Sequence, residues 1–174
     1  MAHYLGFLRA INLGATRKFA KGDIVRVVES VGFTDVETYI NTGNIRFSTS
    51  MRSRSKIEAT LEEAFEADRG FAVPTMVYTP AEIRAIAEHA AALDHGGMHY
   101  VSLLKDEPTA AGLAAVRAAA RDGELAEVGG RAIHLMLGVE YHTAKLTNTL
   151  VERHLGVATN RNLTVIRAVV ERWT

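Results

Sequence analysis

The chain has 174 residues, and its 20 acidic and 20 basic side chains balance to a formal net charge of zero. This length suits one ordinary domain or two small ones, and the hydrophobic share of 48% supports a real core. The lack of cysteine excludes disulfides and thiolate nucleophiles, and the zero net charge disfavours a dedicated nucleic-acid binder. With no signal-peptide pattern and no apolar run near the roughly 20 residues of a membrane span, we expect a cytoplasmic protein without a membrane partner.

The first half of the chain alternates strand and helix patterns. Its predicted elements are a strand at 4–8, a helix at 21–31, strands at 36–40 and 44–48, a helix at 55–69 and a strand at 75–78. Apolar residues at i, i+3, i+4 and i+7 mark the helices, and the turn formers Asn41, Thr42 and Gly43 join the two middle strands. The order β-α-β-β-α-β is that of the ferredoxin-like α/β sandwich.

The second half repeats this plan after a connecting segment. Thr79, Pro80 and Glu82 predict the start of a linker helix, and a glycine pair at 96–97 marks a break. The later predicted elements are a strand at 99–105, a helix at 108–121, a hairpin of 125–128 and 131–137, a helix at 143–154, a strand at 157–160 and a helix at 162–173. The predicted fold is α+β, two tandem ferredoxin-like (βαββαβ) sandwich halves plus a C-terminal helix, divided as 1–79, a linker helix at 80–97, and 98–174.

Several motifs, in a fixed order, resemble one bacterial family. They are Leu8-Arg9-Ala10-Ile11-Asn12-Leu13-Gly14, the segments 31–36 and 38–45, and the later segments 144–148 and 159–162. This pattern resembles the family catalogued as domain of unknown function 1697, and the resemblance implies tandem ferredoxin-like halves with no assigned activity. Ala10 stands where the family usually has glycine, Ala15 replaces the second glycine of a pair, and Leu163 replaces a tryptophan. We expect the two alanines to stiffen the first loop.

Basic side chains lie near the predicted starts of several helices. They are Arg17, Lys18, Lys21, Arg52, Arg54, Lys56, Lys145 and Arg161. Each exposed cation there costs about 0.3–1 kcal/mol, and local rules broken without compensation tend to mark functional sites. A helix N-terminus with an added lysine or arginine binds phosphate or carboxylate groups. The alternative is ordinary solvated surface charge.

The sequence therefore predicts a ligand site of basic and amide side chains. Its members are Arg9, Asn12, Lys18, Asn44, Lys145, Asn148, Arg161 and Asn162. Arginine grips an oxyanion through two N–H groups, and asparagine both donates and accepts. The expected partner is a small molecule that carries a phosphate or a carboxylate. Structural alternatives stand beside two of these residues, since Asn44 fits a turn and Asn162 fits a helix N-cap.

Two other functions compete with simple binding. An enzyme acting on the same metabolite would use His142 or Tyr141 as a proton carrier. An RNA-binding or protein-interaction module is the second, although the stacking aromatics of the RNA-recognition motif are absent and nucleic acid is disfavoured. Asp94, His95 and His99 follow no metal-ligand spacing, so we expect solvated loop histidines, no metal and no cofactor. No feature decides the oligomeric state.

Overall fold

The computed structural model describes residues 1–138 and 141–174. Within them the protein is a mixed α+β structure with two four-stranded antiparallel sheets and six α-helices, which confirms the predicted α+β class. The chain divides into two compact units, Met1–Pro80 and Ala81–Thr174. Each unit contains one of the sheets, so each builds its own core.

The first unit follows the predicted order of elements. It contains β1 (Ala2–Leu8), α1 (Lys21–Ser30), β2 (Thr34–Tyr39), β3 (Asn44–Thr49), α2 (Arg54–Arg69) and β4 (Thr75–Tyr78). The sheet order is β2-β3-β1-β4, with every neighbouring pair antiparallel. Because strand side chains alternate between faces, Tyr4 and Leu8 of β1 share the face on which α1 and α2 pack.

Aromatic side chains fill the core of the first unit. The Phe33 and Phe47 rings are stacked with centroids 5.1 Å apart, and Tyr4 lies 6.0 Å from Phe47. Phe19 meets Phe65 of α2 edge to face at 5.2 Å. Phe19 precedes α1, so this contact anchors the end of the β1–α1 loop in the core.

The second unit adds a helix before and after a similar arrangement. It contains α3 (Pro80–Leu93), β5 (His99–Leu104), α4 (Ala110–Ala118), β6 (Leu125–Val128), β7 (Ala132–Met136), a 3-10 helix (Tyr141–Thr143), α5 (Asn148–Leu155), β8 (Ala158–Asn162) and α6 (Leu163–Trp173). The sheet order is β6-β7-β5-β8. Ile133 and Leu135 share a core with Val116 of α4 and Val151 of α5. His134 lies between them in sequence and points to the opposite face, where it meets α3.

In both units the helix before the last strand covers that strand's edge with polar side chains. In the first unit, carboxylate oxygens of Glu58 and Glu62 accept the backbone N–H groups of Val77 and Thr75 at 2.9 and 2.8 Å. In the second, Glu152 Oε1 accepts Ala158 N–H at 3.1 Å. These bonds satisfy donors that an edge strand otherwise exposes to pairing with another chain.

The start of α5 differs from the predicted helix at 143–154. Thr147 caps α5 by accepting Leu150 N–H, so the helix begins at Asn148. The Glu124 carboxylate accepts the N–H groups of Lys145 and Leu146 at 2.8 and 3.3 Å and holds them in a loop. The placement of Lys145 in the first turn of this helix was therefore wrong.

Gly112 of α4 tests the close approach of α4 and α5. A Cβ atom at this position would lie 2.4 Å from Leu155 Cδ2 and 2.5 Å from the His154 carbonyl oxygen. We expect Gly112→Ala to lower the free energy of unfolding by roughly 1–3 kcal/mol in urea denaturation, although alanine is the better helix former.

Gly22 of α1 provides the matched control. A Cβ atom there meets nothing within 4 Å. Gly22→Ala should be neutral or stabilising by up to about 1 kcal/mol. Equal effects of the two substitutions would show that helix packing does not select Gly112.

Candidate functional site

The loop between β1 and α1 sets the first unit apart from the second. It spans residues 9–20, whereas the connection in the same position of the second sheet, between β5 and α4, spans residues 105–109. Long connections in compact domains are uncommon and are often functional. The first unit therefore carries additional chain at one end of its sheet.

Left-handed backbone is concentrated in this loop and in the β2–β3 turn beside it. Ala10, Asn12 and Ile40 have φ values of 58°, 53° and 50°. This conformation costs a non-glycine residue about 1–2 kcal/mol, and a β-branched residue such as isoleucine is an outlier there. Such strain persists only where the surroundings over-determine it, and it clusters at functional sites.

The Asn12 side chain holds the two loops together. Its Nδ2 donates to the carbonyl oxygens of Phe19 at 3.0 Å and Asn41 at 2.7 Å. Its Oδ1 accepts Phe19 N–H at 2.9 Å. Asn12 thus links the start of the loop to its end and to the β2–β3 turn.

Arg17 fixes the middle of the loop. Its Nε donates to the Ala10 carbonyl and its Nη2 to the Ala72 carbonyl, both at 2.6 Å. The guanidinium also lies 4.5 Å from the centre of the Phe71 ring. Arg17, one of the basic residues near the predicted start of α1, therefore stabilises the backbone of the first unit.

The N-terminus of α1 faces a cleft of about 640 Å³. The lining residues are Asn12, Gly14, Lys18, Phe19, Ala20, Lys21, Gly22 and Asn41. Ala20 occupies the N-cap position and provides no side-chain cap. The acidic residue of the first turn, Asp23, is paired with Arg26 at 3.4 Å and Arg69 at 3.5 Å. The cleft thus combines two exposed lysines with the positive end of a helix.

Four predicted site residues belong to the first unit, and two of them, Asn12 and Lys18, line this cleft. Asn44 is fully buried and donates to the Tyr39 carbonyl and to Thr42 Oγ1, both at 3.0 Å, as its turn alternative predicted. Arg9 is half-buried, and its backbone N–H donates to the Pro74 carbonyl.

The other four predicted site residues belong to the second unit. Asn148 accepts from Ser102 and donates to the Ala158 carbonyl, each at 3.0 Å. Asn162 caps α6 by accepting Thr164 N–H at 2.8 Å. Lys145 is exposed in the loop before α5. These contacts give both asparagines a structural role.

Arg161 is buried in β8 instead of preceding a helix in solvent. Only 6% of it is exposed, and its Nη1 donates to Thr159 Oγ1 and to the Asn160 carbonyl, both at 2.8 Å. Burial lowers its pKa to about 10, so the guanidinium stays protonated at neutral pH.

The suggested proton carriers lie in the 3-10 helix Tyr141–Thr143. His142 is exposed, and the Arg121 guanidinium donates to the carbonyl of the adjacent Thr143. The side chain of Tyr141 lies outside the part of the chain that the structure describes. The predicted role of this pair in proton transfer stays a prediction.

A histidine cluster in the second unit was missed by sequence reasoning. His99 Nε2 and His134 Nδ1 are hydrogen-bonded at 2.9 Å. The His89 ring of α3 lies 5.0 Å from that of His134, and the His95 ring lies 6.3 Å from that of His99. His99 is 5% exposed, so the expectation of a solvated loop histidine was wrong. The available signal was strand alternation, which places His99 and His134 on one face of the sheet.

Burial keeps the central pair of this cluster neutral. Burial, with a smaller contribution from neighbouring basic side chains, lowers the pKa of His99 to about 4 and that of His134 to about 3. The buried atoms His89 Nε2, His99 Nδ1 and His134 Nε2 have no hydrogen-bond partner among the described residues. Within residues 1–138 and 141–174, no three histidine, aspartate or glutamate side chains are grouped to hold a metal ion.

Comparison with known proteins identifies the family of this chain. The model described as "Protein of unknown function (DUF1697)" matches residues 1–134, and the chain belongs to this family, as its motifs predicted. The later motifs at 144–148 and 159–162 lie beyond the matched residues.

A solved structure has the same fold. The conserved bacterial protein SP0830 from Streptococcus pneumoniae is similar with a TM-score of 0.73 and 19% sequence identity, over 97% of each chain. No curated protein matches this chain in sequence.

In the described part of the chain, no helix has the length and apolar character needed to cross a membrane.

Asn12→Gly tests the link between the two loops. Glycine tolerates the φ of 53° at this position, so the substitution removes the side-chain hydrogen bonds without adding strain. We expect the free energy of unfolding to fall by roughly 1–3 kcal/mol and the Phe19 amide to lose protection from hydrogen exchange. The Ile24 amide, which donates to the Ala20 carbonyl inside α1, should stay protected. Unchanged Phe19 exchange would contradict the role of Asn12.

Ala10→Gly tests the strain in the loop. Glycine removes the cost of the left-handed conformation at φ 58° and adds a smaller entropic cost, so we expect a gain of roughly 0.5–1 kcal/mol in unfolding free energy. Ala15→Gly is the control, because Ala15 lies in the same loop without a positive φ. It should be neutral or destabilising, and equal responses of the two variants would mean that Ala10 is not strained.

Proposed function

We propose that this protein binds a small molecule carrying a phosphate or carboxylate group in the cleft at the N-terminus of α1. The single observation that carries the proposal is the combination of an uncapped helix start, two lysines and a strained loop that holds them in place. Free first-turn N–H groups and lysine ammonium groups stabilise the same anion.

The contrast with four other helices supports this proposal. Side-chain oxygens cap α2, α4, α5 and α6 through Ser53, Thr109, Thr147 and Asn162. Ala20 leaves α1 without such a cap, at a cost of about 1 kcal/mol relative to serine or threonine. A bound oxyanion would take the place of the missing oxygen and recover that cost.

The charge around the cleft favours an anion. Lys18 and Lys21 are both exposed at its rim. The Asp23 carboxylate of the same turn is already held by two arginines, so it does not compete for the lysines. A volume of about 640 Å³ lies within the range of sites for metabolite-sized ligands.

The finer sequence predictions remain part of this proposal. We propose that each unit is a ferredoxin-like βαββαβ sandwich, because in each sheet the first strand lies between the third and the fourth, with the second strand at the edge beside the third. The division of the chain at 79 and 97, the cytoplasmic location and the wider set of Arg9, Asn44, Lys145, Asn148, Arg161 and Asn162 stay predictions. Catalysis on the bound anion is an extension that a turnover assay would test.

The proposal predicts how thermal stability responds to anions. We would measure the melting temperature with inorganic phosphate, pyrophosphate, AMP and citrate, for the wild type and for the double variant Lys18→Gln/Lys21→Gln. A ligand at a hundredfold excess over its Kd stabilises the native state by about 2.7 kcal/mol, which gives a measurable shift. We expect the shift in the wild type and its loss in the double variant.

Lys56→Gln is the matched control. Lys56 lies in the first turn of α2, where Ser53 accepts its backbone N–H and caps the helix. This variant should respond to the anion as the wild type does. An equal response of the double variant would place the anion elsewhere, and no response of the wild type to any of these anions would overturn the proposal.

A further inference from the structure

The histidine cluster of the second unit lies where α3 packs on the sheet. His89 of α3 contacts His134 of β7, and His134 is bonded to His99 of β5. A Cβ atom on Gly129, in the β6–β7 turn, would meet His134 Nε2 at 2.8 Å and His89 Cδ2 at 3.0 Å. The rings therefore join α3, two strands and a turn in one buried contact.

Among the described residues, the charged groups that act on the pKa values of His99 and His134 are all basic. His95, from the segment before β5, and Arg167, from α6, add positive charge near His99. On β6, Glu127 is the cross-strand neighbour of His134, but its carboxylate is held by Arg117 at 2.6 Å. A proton on either buried ring would thus be an unpaired buried charge, which is costly.

We propose that the cluster of His89, His99 and His134 is an acid-operated switch that loosens α3 from the sheet of the second unit. At neutral pH the neutral rings pack together and the His99–His134 hydrogen bond is intact. In mild acid His99 and His134 gain protons only by leaving the buried contact. Repulsion between these two charged rings, whose centroids are 5.1 Å apart when packed, then opposes re-formation of the contact.

The direction of the pH effect follows from the lowered pKa values. An opened ring titrates near its ordinary pKa of 6.5, while the closed rings titrate at about 4 (His99) and about 3 (His134). The packed form is therefore fully favoured above pH 6.5 and loses stability as pH falls towards the closed-state values. Between pH 7 and pH 5, opening becomes about twentyfold more favourable for each histidine and several hundredfold for both.

The helix α3 has other contacts in the second unit besides the histidines. Glu82 lies 3.5 Å from the Arg131 guanidinium, and the Arg84 side chain donates to the Thr174 carbonyl. Ile83, Ile86 and Ala90 are buried. The histidine contact differs from these in that burial lowers the pKa of two of its members, His99 and His134.

Hydrogen exchange of the whole chain tests the proposal. We would compare amides of α3 and β7 with those of β1 and β3 in the first unit at pH 7 and pH 5, corrected for the intrinsic pH dependence. We expect protection in α3 and β7 to fall by up to several hundredfold at pH 5 and protection in β1 and β3 to change far less. Equal losses in both units would overturn the proposal.

Variants separate the cluster from general acid effects. In His99→Gln/His134→Asn, amide groups take the positions of the two bonded ring nitrogens and cannot titrate. This variant should lose most of the pH dependence in α3 and β7, whereas His154→Gln, at an exposed position on α5, should keep it. An unchanged pH dependence in the double variant would contradict the switch.

NMR titration of the wild-type imidazoles supports or overturns the proposal even if the double variant does not fold. His99 and His134 should stay neutral down to about pH 5 in the packed state. Titration of either ring near pH 6.5, with α3 still protected from exchange, would overturn the proposal.

Discussion

The hydrogen bonds of the Asn12 side chain are the constraint on which the candidate site depends. They bring the two ends of the 9–20 loop together and hold the β2–β3 turn against it. Phe19, bonded to Asn12 through both backbone groups, is also packed on Phe65 in the core. The start of α1 is thus fixed by a buried aromatic ring and an amide, so its backbone donors are held in place without a capping side chain.

The two units use the same arrangement of strands in different ways. In the first, extra chain after β1 builds a cleft with exposed lysines. In the second unit the corresponding connection is short, and the histidines His99 and His134 are buried on the sheet face that meets α3. A shared arrangement therefore says little about function, which depends on what each unit adds to it.

Local patterns predicted most helices and strands, because apolar spacing and turn residues act within a few positions of the chain. Contacts between distant residues decided the rest. The loop position of Lys145 depends on Glu124, 21 residues earlier, and the burial of His134 depends on α3, whose His89 ring packs against it. Asn12 and Lys18, which the sequence assigned to one site, line the same cleft, whereas the left-handed φ of Ala10 has no signal in alanine itself.

Buried basic groups of the second unit respond to burial according to their ordinary pKa. Burial lowers the pKa of Arg161 to about 10, yet the side chain still carries its charge at pH 7, because the ordinary pKa of arginine lies far above neutral and the Asn160 carbonyl and Thr159 hydroxyl accept hydrogen bonds from it. Arg131 is likewise bonded to the Leu104 and Lys105 carbonyl oxygens. The ordinary pKa of histidine is 6.5, so a pKa lowered by burial leaves His134 neutral at pH 7. The interior therefore holds fixed charges that mild acid leaves unchanged beside neutral rings that mild acid can charge.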